Sequence, residues 1–142
     1  YALTTTHVIV DAVGSMPADS AYEPVAPSRL VDTREPWVAA DAEFTATGPV
    51  AGGTMIEVPI AGRGGIDADA EAAVLNVTVD GATAPGFLTV FPCGDMPLAS
   101  SLNYASDHPV ANELITKLSP NGTVCIYALT TTHVIVDAVG SM

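Results

Sequence analysis

Positive charge is the scarcest property of this sequence. Its 142 residues include only Arg29, Arg34, Arg63 and Lys117 as fixed cations against 16 Asp and Glu, a net charge of −12. Such a chain repels a phosphate backbone, so no nucleic-acid partner is expected. The acidic surface suits solubility, high salt or divalent cations. Cysteine is almost missing as well: Cys93 and Cys125 are too few to make a four-ligand zinc site. Each lies within or beside a strand-like segment, and two readings stand: a cross-strand bridge, or two buried thiols. Aromatic residues make up 6 %, few for a sugar-binding platform. Trp37, in a loop after Pro36, is the candidate ligand-binding ring, and a plug over the end of a sandwich is its competing role. No apolar run reaches the length of a membrane span, and the longest, within 133–139, is broken by Asp137. Helical periodicity is nearly absent too. Only residues 67–73 (DADAEAA) read as helix, too short to define a layer.

What is present is alternation at period two. Residues 55–60 place Ile56, Val58 and Ile60 on one face and Met55, Glu57 and Pro59 on the other. Residues 73–80 set Leu75, Val77 and Val79 inward against Asn76, Thr78 and Asp80. Segments 87–91, 110–118, 122–129 and 133–139 add four strands, and 29–34 and 100–104 two shorter ones. Turn residues separate them at Gly62-Arg63-Gly64-Gly65, Ala84-Pro85-Gly86, Pro92-Cys93-Gly94-Asp95 and Pro120-Asn121-Gly122. The last carries the Asn-Gly pair favoured in tight hairpins. About eight half-buried strands must cover their apolar faces with a second sheet or close on themselves. The expected fold is all-β, an antiparallel β-sandwich, with a β-barrel-like or jelly-roll arrangement as the alternative.

The first sixteen residues, YALTTTHVIVDAVGSM, return as residues 127–142, a period of 126. That period matches a whole domain rather than a short solenoid unit. The expected layout is a tandem array. Residues 1–16 form the last strand of a preceding copy, 17–27 a stiff linker with Pro17, Pro24 and Pro27, and 28–142 the sandwich domain. The N-terminal copy lacks the Gly-Thr-Val-Cys-Ile segment that leads into its counterpart, so it has no sheet of its own. Thr6, His7, Val8, Ile9, Val10, Asp11, Ala12 and Val13 are therefore expected to act as an inter-unit strand. Val8, Val10 and Ala12 would present the apolar face that Val134, Val136 and Ala138 present at home.

Catalytic constellations are missing. His133 and Asp137, four residues apart on a strand, are separated by roughly 13 Å and share no proton. Neither Ser101 nor Thr132 has a signature base beside it, and no Gly-x-Ser-x-Gly elbow occurs. The chain is expected not to be an enzyme and to need no cofactor. Asp67, Asp69 and Glu71 alternate as calcium ligands would, but without the glycine and distal glutamate of a helix-loop-helix site. An acidic loop without metal is the competing reading. Asp32 between Arg29 and Arg34 reads as an internal ion pair pinning a strand end, since arginine forks match carboxylates; an anion site is the alternative. Gly62 to Gly65 has nest-like composition without a following lysine.

In order, SRLVDTR, AGRGGI, AAVLNVTVDGATAPGFLTVFPCG, ASSLNY, GTVCIYAL and THVIVDAVG resemble a β-rich module of secreted and cell-surface proteins, mainly actinobacterial. The module occurs singly or in tandem, often attached to hydrolases or adhesin-like chains, and the resemblance spans residues 24–140. It implies that Cys93 and Cys125 pair as a disulfide, that the domain has no catalytic role, and that it is extracellular or on a cell surface. The close differs: relatives end with glycine and an aromatic pair, whereas this chain has Gly140-Ser141-Met142.

The first expected function is a structural repeat of an extracellular stalk, adhesin or filament, with neighbouring copies of the domain as partners. Another is a carbohydrate- or surface-binding module acting by avidity, with glycans or a cell surface as partner. A third is the accessory domain of a secreted enzyme.

Overall fold

The computed structural model describes residues 5, 17, 19–106 and 108–142. Eight strands follow in chain order: β1 (Glu23–Asp32), β2 (Thr54–Pro59), β3 (Ala72–Asp80), β4 (Gly86–Pro92), β5 (Leu102–Tyr104), β6 (Val110–Lys117), β7 (Thr123–Ala128) and β8 (His133–Ser141). No helix occurs among the described residues. The strands form two four-stranded antiparallel sheets, ordered β1-β8-β3-β6 and β2-β7-β4-β5. The fold is a β-sandwich. Both sheets end in edge strands, so the barrel alternative falls away.

The pairing has a simple rule. β1 pairs with β8, β2 with β7, β3 with β6 and β4 with β5. This is one long antiparallel ribbon wrapped so that alternate strand pairs fall in opposite sheets, the jelly-roll arrangement. β8 additionally pairs with β3, and β7 with β4. Its consequence is that β1 and β8, far apart in sequence, lie side by side.

Alternation sets what is buried. In one sheet Leu75, Val77 and Val79 of β3 stand opposite Ala138, Val136 and Val134 of β8. In the other, Ile56 and Val58 of β2 face Ile126 and Val124 of β7, and Ile126 in turn meets Val90 of β4. The inward residues, with Leu30, Ile60 and Leu88, make one continuous core. Fully burying each such side chain is worth about 1.5–3 kcal/mol.

Three sequence expectations change. Residues 67–73 form a turn leading into β3 rather than a helix, with the Ala70 amide donating to the Asp67 carbonyl at 3.3 Å. β1 begins at Glu23, inside the segment 17–27 expected as linker. Pro24 and Pro27 are tolerated because β1 is an edge strand and its register with β8 slips between Pro24 and Ser28. Pro120-Asn121-Gly122 does not close a hairpin, since β6 and β7 belong to different sheets. The turn carries the chain across the sandwich, and Gly122 adopts φ 72° with Ala61 packed where its side chain would start.

Candidate functional site

The site that the repeated sequence points to is the slot holding β8. β8 lies between β1 and β3 and fills that gap along its whole length. Val134, Val136 and Ala138 are fully buried on its inner face. The slot also reads polar positions. Arg29 Nε donates to Asp137 Oδ1 at 2.8 Å and its Nη2 to Oδ2 at 3.3 Å. Thr33 Oγ1 accepts from the Val134 amide at 3.0 Å and lies 3.0 Å from His133 Nδ1. The registers of both neighbours skip Val139, and the Tyr22 hydroxyl donates to the Val139 carbonyl at 3.3 Å. Tyr22 then covers Gly140 so closely that a Cβ there would lie 2.6 Å from its hydroxyl. Aspartate, histidine and glycine at these three positions are thus each matched by a partner in the slot.

The expected inter-unit strand, Thr6, His7, Val8, Ile9, Val10, Asp11, Ala12 and Val13, lies outside the described residues. Its sequence equals residues 132–139, so every side chain that the slot contacts over that stretch recurs in it.

Beside the slot stands an ionic network. Asp32, with no solvent exposure, receives Arg29 Nη1 at 3.0 Å and Arg34 Nη2 at 3.0 Å. Arg34 also reaches Asp80 at 2.9 Å. Arg29, Asp32 and Arg34 therefore pin the end of β1 to β8 and β3 as one unit. Burial works against ionising Asp32, but the hydrogen bonds and charge of Arg34, with the charge of Arg29, outweigh it and hold the carboxyl below its ordinary range. The hydrogen bond to Asp32 in turn holds Arg34 further into its charged form, against the opposing effect of burial. Both guanidinium groups face carboxylates.

Sequence reasoning missed Arg63. Its guanidinium donates to Asp41 at 2.6 and 2.9 Å, to the Pro59 carbonyl at 2.7 Å and to the Leu30 carbonyl at 2.9 Å, and it stacks 5.6 Å from the centre of Phe44. It ties down the loop 39–46, in which Ala42, Phe44 and Ala46 all adopt positive φ of 62°, 49° and 49°, a conformation uncommon for residues other than glycine. That loop seals the outer edge of β1: the Asp32 amide donates to the Phe44 carbonyl at 3.2 Å, and the Ala46 amide to the Asp32 carbonyl at 2.9 Å. The one hint in the sequence was that Gly62 to Gly65 surround an arginine in an otherwise acidic chain.

Cys93 and Cys125 form a disulfide with Cα atoms 4.8 Å apart, joining the end of β4 to β7. Closing a loop of 32 residues is worth about 3–4 kcal/mol in the chain-entropy treatment. The remaining candidates are dispersed. Trp37 is 54 % exposed and lies 5.7 Å from the Arg34 guanidinium. His133 and Asp137 turn to Thr33 and Arg29. Ser101 Oγ accepts from the Val90 amide, and Thr132 Oγ1 donates to the Asp80 carbonyl. Asp67, Asp69 and Glu71 border an open cleft of about 590 Å³ and its neighbour at the end of the sandwich, beside Lys117, Pro120 and Met142. Among the described residues no three His, Cys, Asp or Glu side chains converge as metal ligands, and no helix is long and apolar enough to cross a membrane.

No protein-family model matches this chain, and no curated protein or solved structure matches it either.

Proposed function

We propose that this domain is a non-catalytic structural repeat of a secreted or cell-surface stalk, adhesin or filament, whose units associate through strand exchange. The observation that carries the reading is the second copy of β8. The sequence of a strand that occupies the middle of a sheet, with side chains matched by Arg29, Thr33 and Tyr22, occurs twice in the chain. A second copy of a strand sequence complementary to that slot is the material of strand addition. The disulfide fits an oxidising compartment, and the dense negative charge keeps units apart except where a specific strand overrides repulsion. Sedimentation velocity and electron microscopy of the full chain, with and without residues 1–16, test the reading. Concentration-dependent oligomers that vanish with the deletion are expected; assembly unchanged by it overturns the proposal.

A second reading is favoured by Trp37, an exposed ring beside a cation in the loop after β1. This is a glycan- or surface-binding module. Binding to a glycan array that disappears in Trp37→Ala is its signature.

A further inference from the structure

Of the four strands that end the two sheets, β6 has the barest edge. β1 carries Pro24 and Pro27, and loop 39–46 bonds to it from the Ala40 amide to Arg29 and from the Asp32 amide to Phe44. β2 ends in Pro59, whose carbonyl accepts from Arg63 at 2.7 Å, and β5 is three residues long. β6 runs for eight residues without proline and pairs with β3 with no break in register. Proline, brevity and a covering loop are the usual protection of an edge, and β6 has none of them among the described residues. The Leu118 amide donates to the Glu71 carbonyl at 2.8 Å. Alternation along the strand then assigns the backbone groups of Thr116, Leu114 and Asn112 to β3, and turns those of Ala111, Glu113, Ile115 and Lys117 to the open side. None of these four amides has a backbone acceptor among the described residues.

The side chains along this edge complement themselves. Glu113, Ile115 and Lys117 stand on the outer face of β6, opposite Asn76, Val74 and Ala72, and Ile115 is 60 % exposed. Arg29, Arg34 and Arg63 are all held by carboxylates, whereas neither Lys117 nor Glu113 makes an ion pair among the described residues. Within one strand the two charges are four residues apart, about 13 Å, and do not meet. In a second β6 laid antiparallel with Ile115 on the two-fold axis, each Glu113 faces the other copy's Lys117. The two Ile115 side chains then meet between these pairs. All of these positions turn their backbone groups outward, so each opposed pair exchanges two hydrogen bonds. The neighbouring registers are poorer: one centred on Glu113 opposes like charges, and one centred on Leu114 sets Lys117 against Ala111.

We infer that the β6 edge is a contact between two copies of this chain, paired through residues 113–117 about a two-fold axis at Ile115. The pairing joins their β1-β8-β3-β6 sheets into one, an isologous interface. A chain of net charge −12 repels its own copies at most approaches; here two lysines answer two glutamates and the contact is locally neutral. A lysine on an edge by itself deters pairing, but the glutamate four residues away turns it into a lock on the register. This surface is separate from β8, and the inference does not rest on strand exchange.

Sedimentation velocity of the full-length chain over a concentration series reads the contact, with thermal melts to follow folding. The wild type is expected to dimerise as concentration rises. Glu113→Lys and Lys117→Glu each set two like-charge pairs across the axis and should weaken dimerisation at least about tenfold, while both exposed sites leave the fold intact. The Glu113→Lys/Lys117→Glu swap puts opposite charges back in register and should restore the dimer. Ile115→Cys reads the axis directly. Its thiol faces its own copy at a Cα separation of about 5.5 Å, within the span of a disulfide, so mild oxidation should give a covalent dimer. Ala111→Cys, roughly 27 Å from its counterpart in this register, should not cross-link. A wild type that is still monomeric at about 1 mM, the weak end of specific affinity, overturns the inference. So does a swap that fails to restore association, or an Ala111→Cys chain that cross-links as readily as Ile115→Cys. Association that ignores the charge variants but vanishes with residues 1–16 belongs to strand exchange and overturns the β6 contact alone.

Discussion

Glu23, the first residue of β1, sits directly across the sheet from Ser141, the last of β8. The domain thus begins and ends at the same corner of the sandwich, because the wrapped ribbon brings its two free arms together. All eight strands lie within residues 23–141. A chain of residues 17–142 is therefore expected to fold cooperatively, with its melting midpoint shifted by less than the roughly 4 °C that 1 kcal/mol produces at this size. Circular dichroism melts of the two chains check this, and loss of the transition would make the N-terminal copy indispensable to the fold.

Arg34→Ala is expected to be severely destabilising. It leaves the unexposed Asp32 carboxylate with the Arg29 guanidinium and the amide of residue 34, and removes the tie to Asp80. Stranding a buried charge in this way costs about 3–5 kcal/mol. Urea unfolding at neutral pH should show a lower midpoint with an unchanged slope. The Asp32→Asn/Arg34→Ala double variant should recover part of the loss, since no orphan charge remains. A double variant less stable than Arg34→Ala by the full cost of a second lesion would show that the two residues act independently.

Acid stability follows from the same pairs. Asp32 and Asp41 both have folded-state values below their ordinary one, Asp41 at about 2, chiefly through its hydrogen bond from Arg63. A depressed carboxyl stabilises the fold above its unfolded value, and that contribution drains away as pH falls through the folded value. Stability should thus fall as pH drops from the ordinary value of 3.8 towards 2, with these two groups contributing no slope near neutrality. Arg63→Ala should flatten the Asp41 part of that profile. It should also cost about 2–4 kcal/mol at neutral pH by freeing buried carbonyls and the loop they hold. Chemical unfolding at a series of pH values reads both effects, and limited proteolysis should cut first within residues 39–46.

Strand identity was legible where burial alone decides it. Leu75, Val77 and Val79 alternate with polar neighbours, and that alternation is what one buried face requires. Sheet order was not, because it comes from pairings such as Val77 with Val136 that are remote in the chain. Local turn chemistry even pointed the wrong way at Asn121-Gly122, whose positive φ serves a crossing between sheets. Pro24 and Pro27 suggested a linker, since nothing local reveals that a strand will lie at an edge and slip its register. Arg29, Asp32 and Arg34 could be read as a unit because their spacing is short. Arg63 could not, because its partners Leu30, Asp41 and Pro59 are drawn from three separate segments and two of its contacts are to backbone carbonyls.

Gly140→Ala connects the packing of the slot to its redundancy. The added methyl would strike the Tyr22 ring, which must shift and so disturb its hydrogen bond to the Val139 carbonyl. In the chain of residues 17–142, overpacking of this kind should cost about 1–3 kcal/mol, and Tyr22→Ala should relieve much of it. In the full-length chain the strand-exchange reading predicts a smaller penalty, because the sequence of residues 7–15 keeps glycine at position 14. Equal losses in the two chains, read from paired urea titrations, would mean that the slot never accepts the second copy. A smaller loss in the longer chain, abolished when Gly14→Ala is added, would show β8 yielding its place to its duplicate.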